Sequence, residues 1–455
     1  MTMIRMANSR HISHTGHTVT RRRVLSTGLA AGLVLTAPGF AQAAPGFAQA
    51  VPIEPDRVGA AGDPDFHPVT FRLPAPTGRK ALGTTALHLI DQYRPDPTMP
   101  SGRRELMISI WYPGSMIGDT PLAKYMPPRT AVEVDEAWTG EYGLALPTGS
   151  FDFAETETHS RVDAPMQPIP HPVVLFSPGY QYSRFVNTAQ VEDLASRGYV
   201  VVTMDHTHET PTEFPGGRFL PGVPADQLPD PVFTRKAVET RTADARFVLD
   251  QLEQLAAGRN PDIDGKDLPP GLADGLDLRK VGMFGFSLGG YATANTLLED
   301  KRFAAGLDLD GTLQDDPVKG PLGKVARKGL DQPFLLFGSD TSQRTDPDRE
   351  YYDKSWAGFW EAQRGWKLNL GLAGAKQKAF TDYQFVFDQL FREIYGDDEI
   401  ITSVMTALVG KVDPARSVLA QRRYISAFFD HTLRRRPELL LRGDSPKFPE
   451  VKFAR

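Results

Sequence analysis

From residue 84 onward the apolar positions fall into eight short strand-like runs. They are "TTALHLID" (84–91), "ELMISIWYP" (105–113), "PVVLFSP" (172–178), "YVVVTMD" (199–205), "KVGMFGF" (280–286), "AAGLDLD" (304–310), "PFLLFGS" (333–339) and "LNLGLAG" (368–374). Several are unbroken apolar stretches, the pattern of strands covered on both faces. Between them lie segments of helical period, over 184–197, 232–256, 288–300, 348–363, 382–394 and 414–436. In the helix over 232–256, Val238, Ala245, Val248, Leu249 and Leu252 share roughly one face. Strands alternating with helices predict an α/β fold: a doubly wound, mostly parallel sheet of eight strands, with helices on both faces.

Two stretches fit no element. Residues 114–171 carry many Pro, Gly and acidic positions between the second and third strands, and 210–231 reads "TPTEFPGGRFLPGVPADQLPDP". Loops of this length in a compact domain are usually functional or disordered. The second leaves a strand's carboxyl end, so it is placed to cover a site there. Residues 51–80, rich in Pro, Gly and Asp, form a linker or a surface-hugging arm. The rest, 81–455, reads as a single domain.

The start of the chain changes the picture of where the protein works. "TRRRVL" (20–25) precedes the apolar run "VLSTGLAAGLVLTAPGF", and Ala-x-Ala sites follow at 41–43 and 48–50. A charged start, a short apolar middle and small residues at a cleavage site describe a removed signal peptide over 1–50. The twin arginine points to the folded-protein export route of bacteria and a secreted or extracytoplasmic protein. "APGFAQA" at 37–43 recurs at 44–50, a local duplication at the cleavage region. No later stretch is long and apolar enough to span a bilayer.

Composition narrows the chemistry. The 455 residues contain no cysteine, which excludes a thiol nucleophile, a thiolate metal site and disulfides. A formal charge of −5, with no basic face, argues against nucleic acid as a partner. Arg434, Arg435 and Arg436 suit the end of a helix, where cations match its dipole. His206 and His208 are spaced as His-x-His, with Glu209 beside them, but no further ligand cluster accompanies them. "PDIDGKD" (261–267) is too incomplete for a calcium loop. Neither a metal nor a cofactor is expected, and nothing in the sequence signals an oligomeric state.

The motif that carries chemistry is Gly285-Phe286-Ser287-Leu288-Gly289, G-x-S-x-G between a predicted strand and a predicted helix. A turn that tight strains Ser287 and lifts its hydroxyl above the sheet, at the positive end of the next helix. A serine nucleophile needs a base, and the base needs an orienting acid. Asp310 ends the next strand, with Asp308 deeper on the same face, and Asp340 ends the one after; either Asp310 or Asp340 could orient the base. After Ser287 only His431 remains among histidines, in "ISAFFDHTLRRR", where it reads as a surface or helix-end residue. Backbone N–H groups of Leu288 and of Tyr180, in "SPGYQYS", are the candidate oxyanion donors.

These motifs, with "VVLFSPGYQYSRFVNTAQVEDLASRGYVVVTMDHTHE", "GLDLDGT", "ISIWYP" and "AFTDYQF", resemble the platelet-activating factor acetylhydrolase family over about residues 84 to 433. The resemblance implies the α/β-hydrolase fold, Ser287 as nucleophile, Asp310 as triad aspartate, and Tyr180 and Leu288 as oxyanion donors. It also implies a histidine in a His-x-x-Phe-x-Asp pattern, which here reads Gln377-Lys378-Ala379-Phe380-Thr381-Asp382. Glutamine stands where the base should be, and an amide has no basic nitrogen near neutral pH. Relatives carry a histidine-containing motif at His206, which implies a supporting role in the site wall. His206 and His208 leave a strand two places from Ser287's, ~10 Å away. The expectation is an exported serine hydrolase of short-chain acyl esters, glycerophospholipid esters among them. The alternatives are a catalytically impaired binding protein for a lipid or ester, or a broad lipase or polyester esterase.

Overall fold

The computed structural model describes residues 68–115, 120–141, 149–223, 231–315, 321–340, 354–396 and 399–454. All of them lie within one unit, Gly39–Arg455. The export signal expected over 1–50 falls outside the described residues, as does the start of the expected arm.

Thirteen strands form among the described residues: β1 (Leu82–Pro95), β2 (Arg103–Pro113), β3 (Leu122–Lys124), β4 (Glu157–Val162), β5 (His171–Ser177), β6 (Val200–Met204), β7 (Thr212–Glu213), β8 (Phe219–Leu220), β9 (Leu276–Phe286), β10 (Phe303–Leu309), β11 (Phe334–Ser339), β12 (Lys367–Leu372) and β13 (Val451–Phe453). Eleven make one sheet in the order β13-β12-β11-β10-β9-β5-β6-β2-β1-β4-β3. The eight predicted strands are its unbroken middle, from β12 to β1. Their pairings are parallel, except that β2 runs antiparallel to both β1 and β6. The expected count of eight is therefore corrected to eleven. The extra strands lie outside this middle, β13 at one edge and β4 followed by β3 at the other. They are short and half polar ("LAK", "ETHSRV", "VKF"), because the margin of a sheet is covered less than its centre and carries no apolar run to announce it.

Period-two alternation sorts the central strands into two cores. Val174, Phe176, Phe284, Phe286, Leu335 and Phe337 face one, with helices Thr188–Ser196, Tyr383–Tyr395 and Pro414–Thr432 above them. Val173, Leu175, Met283, Phe334 and Leu336 face the other, under helices Pro231–Ala256, Leu288–Glu299 and Lys354–Ala362. These six helices are the predicted ones. Three more among the described residues, Pro128–Glu141, the short Lys324–Lys328 and Glu399–Leu408, lie where no helix was expected.

The first excursion is not structureless: it holds β3, the helix Pro128–Glu141 and β4. In the second, β7 and β8 form a small hairpin. Glu213 of that hairpin accepts from the N–H of Arg129 (2.8 Å) at the start of the helix Pro128–Glu141, so the two excursions meet. Residues 68–80 hug the surface: the N–H of Thr77 donates to Asp193 (2.7 Å) and that of Gly78 to Ser196 Oγ (3.0 Å). No described helix is long and apolar enough to cross a membrane.

Candidate active site

The parallel strands deliver the chemistry-bearing residues to one edge. β9 runs into Ser287, β10 into Asp310 and β11 into Asp340, and the loop after β12 carries Gln377. Hydrogen bonds stagger these ends: the N–H of Ser287 donates to Leu309 O (2.8 Å), and that of Asp310 to Phe337 O (3.0 Å).

Ser287 has φ 52° and ψ −120°, a left-handed φ that costs a non-glycine residue about 1–3 kcal/mol and persists only when its surroundings impose it. The surroundings are the two flanking glycines. A Cβ on Gly285 would meet Gly289 O at 2.1 Å, and one on Gly289 would meet Ser177 O at 2.0 Å. The elbow thus presses directly on the chain leaving β5, and the Gly179 turn lies against the Phe286 ring. The "SPGYQYS" loop and the elbow are brought together as expected. Gln181, in that loop, also has a left-handed φ of 64°.

Asp310 is buried, with φ 55°. Its carboxylate accepts from the N–H (2.7 Å) and hydroxyl (3.0 Å) of Ser339. Asp308 lies deeper and accepts from the Gly311 N–H (2.8 Å). Asp340 is exposed and accepts from the Gly374 N–H (2.7 Å), a loop-capping contact.

Gln377 opens the short turn Gln377–Phe380. Its Nε2 lies 3.4 Å from Ser287 Oγ and 3.2 Å from the carbonyl oxygen of Asp310. A carbonyl only accepts, so the atom between these oxygens is the NH2 group, and it donates to both. The turn is held from behind. Asn187 donates to Phe380 O (2.7 Å), Gln421 donates to Ala379 O (2.7 Å), and Asp382 accepts from the Ala189 N–H (3.2 Å) and the Tyr125 hydroxyl (3.2 Å). Burial drives the Asp382 carboxyl well above the usual carboxylate range. Lys376, next door, directs its ammonium to Ala407 O (2.9 Å).

The histidines are elsewhere. His206 is buried, with Nε2 2.9 Å from Ser177 Oγ and Nδ1 2.9 Å from Asp244. Burial, reinforced by the Arg241 charge, pulls its pKa down to about 4. The imidazole is therefore held neutral. His208 stands 3.8 Å from Asp96, and His431 packs on Trp366.

Sequence reasoning missed the groups around His206. Arg241 and Asp244, both buried, lie on the helix Pro231–Ala256. Asp244 also receives Arg104 (2.7 Å) and Arg94 (2.6 Å), which outweigh the opposing effect of burial and hold its carboxyl far below the ordinary range. The available signal was Arg241 itself, in register with Val238, Ala245, Val248 and Leu252 on the apolar stripe, where a charge demands a partner. Among the described residues no group of three or more His, Asp or Glu is arranged to hold a metal ion.

The sequence model of platelet-activating factor acetylhydrolase, isoform II, matches residues 141–213 and 228–434. The chain belongs to this family. It is 30% identical over 408 residues to a probable 1-alkyl-2-acetylglycerophosphocholine esterase of Arthroderma benhamiae, covering 85% of this chain and 94% of that one. It is 25% identical over 256 residues to the platelet-activating factor acetylhydrolase of Cavia porcellus, 53% of each chain. Among solved structures, a ferulic acid esterase from Streptomyces cinnamoneus superposes with a TM-score of 0.67 at 34% identity, over 84% of this chain and 99% of that one. The family and these relatives make the chain an ester hydrolase by class, on the α/β-hydrolase fold.

Proposed function

We propose that this protein is an exported serine hydrolase of carboxylic esters, working through an acyl-enzyme on Ser287 at a rate limited by Gln377. In this reading Ser287 Oγ attacks the ester carbonyl, and the N–H groups of Tyr180 and Leu288 receive the oxyanion. Collapse expels the alcohol, and water then releases the acid. Short-chain acyl esters, glycerophospholipid esters among them, are the proposed substrates. The esterase named for an acetylated glycerophosphocholine supports that choice.

The observation that carries the reading is the 3.4 Å approach of Gln377 Nε2 to Ser287 Oγ. It supports position 377 as the base position. An amide donating there holds the hydroxyl but takes no proton from it, so neither acylation nor deacylation has a general base. The same contact favours a second reading, a hydrolase fold kept as a binding site for an ester or lipid.

One substitution separates them. Gln377→His, assayed on p-nitrophenyl acetate, is expected to raise turnover about 10²-fold or more, since loss of a triad member typically costs on the order of 10³–10⁶-fold. Unchanged turnover would remove position 377 from the mechanism. A wild-type protein with no Ser287-dependent turnover would favour the binding reading.

A further inference from the structure

Arg241 is a fully buried cation that the mechanism above does not use. Its Nη1 donates to Pro178 O (2.5 Å) and to Ser177 Oγ (3.2 Å), and its Nη2 to Gly179 O (3.0 Å). The far side of the guanidinium is held by Glu209, with Nε 3.0 Å from Oε2 and Nη2 on Oε1. Behind it the chain of donors is complete. Asp244 accepts from His206 Nδ1, which leaves Nε2 to accept the Ser177 hydroxyl and frees a Ser177 lone pair for Arg241. Ser177, at the end of β5, and the next two residues, Pro178 and Gly179, are therefore gripped by Arg241. The peptide unit is planar and trans, so a Gly179 carbonyl directed at Arg241 turns the N–H of Tyr180 the opposite way. Phe286 and Gly289, from the elbow that carries Ser287, pack against the same turn.

We propose that Arg241 is the positioning residue of the oxyanion hole: by pinning the Gly179 carbonyl it aims the Tyr180 N–H at the carbonyl that Ser287 attacks. The inference rests on Ser287 as the nucleophile. A lysine keeps the charge but not the planar fork that reaches two carbonyls and Glu209 together.

The test uses the full chain, with thermal unfolding measured beside the rate of labelling by a fluorophosphonate, whose phosphoryl oxygen needs the same amide hydrogens. Arg241→Lys is expected to slow labelling about 10²-fold, the usual effect of losing one oxyanion donor. Its melting temperature is expected to fall, because buried acceptors lose donors, while the protein remains folded, and KM for p-nitrophenyl acetate changes far less than kcat. Wild-type labelling rates in a folded Arg241→Lys protein overturn the proposal. Should that variant fail to fold, Glu209→Gln loosens the guanidinium instead. A roughly tenfold slower labelling then supports the assignment, and an unchanged rate overturns it. Ser287→Ala is the control: equal labelling there overturns the nucleophile assignment, an outcome distinct from failure of the Arg241 role alone.

Discussion

Acidifying the protein from about pH 7 to about pH 4.5 is expected to cost about 2.5 kcal/mol of stability through His206 alone. The imidazole is buried between Ser177 and Asp244, and Arg241 adds a like charge. Its pKa falls from 6.5 to about 4. Below about pH 6.5 the unfolded chain takes up a proton that the folded one refuses, so stability drops as pH drops. Each unit of displacement is worth about 1.4 kcal/mol, and most of it is expressed by about pH 4.5. Other groups titrate in the same window. His88, raised by Glu105 and Asp264 against the lowering effect of burial, acts with the opposite sign. The measurement is therefore a difference: urea unfolding of the wild type and of His206→Asn across that range. The wild type is expected to lose about 2.5 kcal/mol more than the variant over the window, whatever the variant's absolute stability. Parallel curves would mean that His206 is not held neutral and that the network drawn around it is wrong.

The elbow and the base turn give further expectations. Gly289→Ala places a methyl 2.0 Å from Ser177 O, so backbone must move. It should destabilise by about 3 kcal/mol or more, and a variant melting with the wild type and labelling at its rate would refute the tight elbow. Asp382 carries a carboxyl pushed toward its neutral form, so Asp382→Asn should fold nearly as well as the wild type. Asp382→Leu, which strands the Ala189 N–H and the Tyr125 hydroxyl, should lose about 2–4 kcal/mol; equal losses in both, read from thermal melts, would show that the charge is what matters.

The eight central strands and six helices could be read from the chain because each carries its own period. "PVVLFSP" is apolar throughout since both its faces are covered, and Val238, Ala245, Val248 and Leu252 repeat at helical spacing since one face is. G-x-S-x-G likewise carries its own geometry, and Ser287 has the left-handed φ that the motif requires. The marginal strands β3, β4 and β13 escaped because part of each meets solvent. So did the helix Pro128–Glu141, hidden in a stretch whose Pro, Gly and acidic residues read as loop.

What the sequence determined by itself, then, is the order of elements, the elbow and the absence of histidine at position 377, all of which are local in the chain. Which residues meet is settled only when the chain is folded. Gln377 reaches Ser287 across 90 residues and Arg241 reaches Gly179 across 62. Hydrogen-bond partners at such separations are chosen by sheet order and by how a helix rolls against the sheet, neither of which leaves a period in the chain. The one trace is a charge on an apolar stripe, which announces that a buried partner exists without naming it.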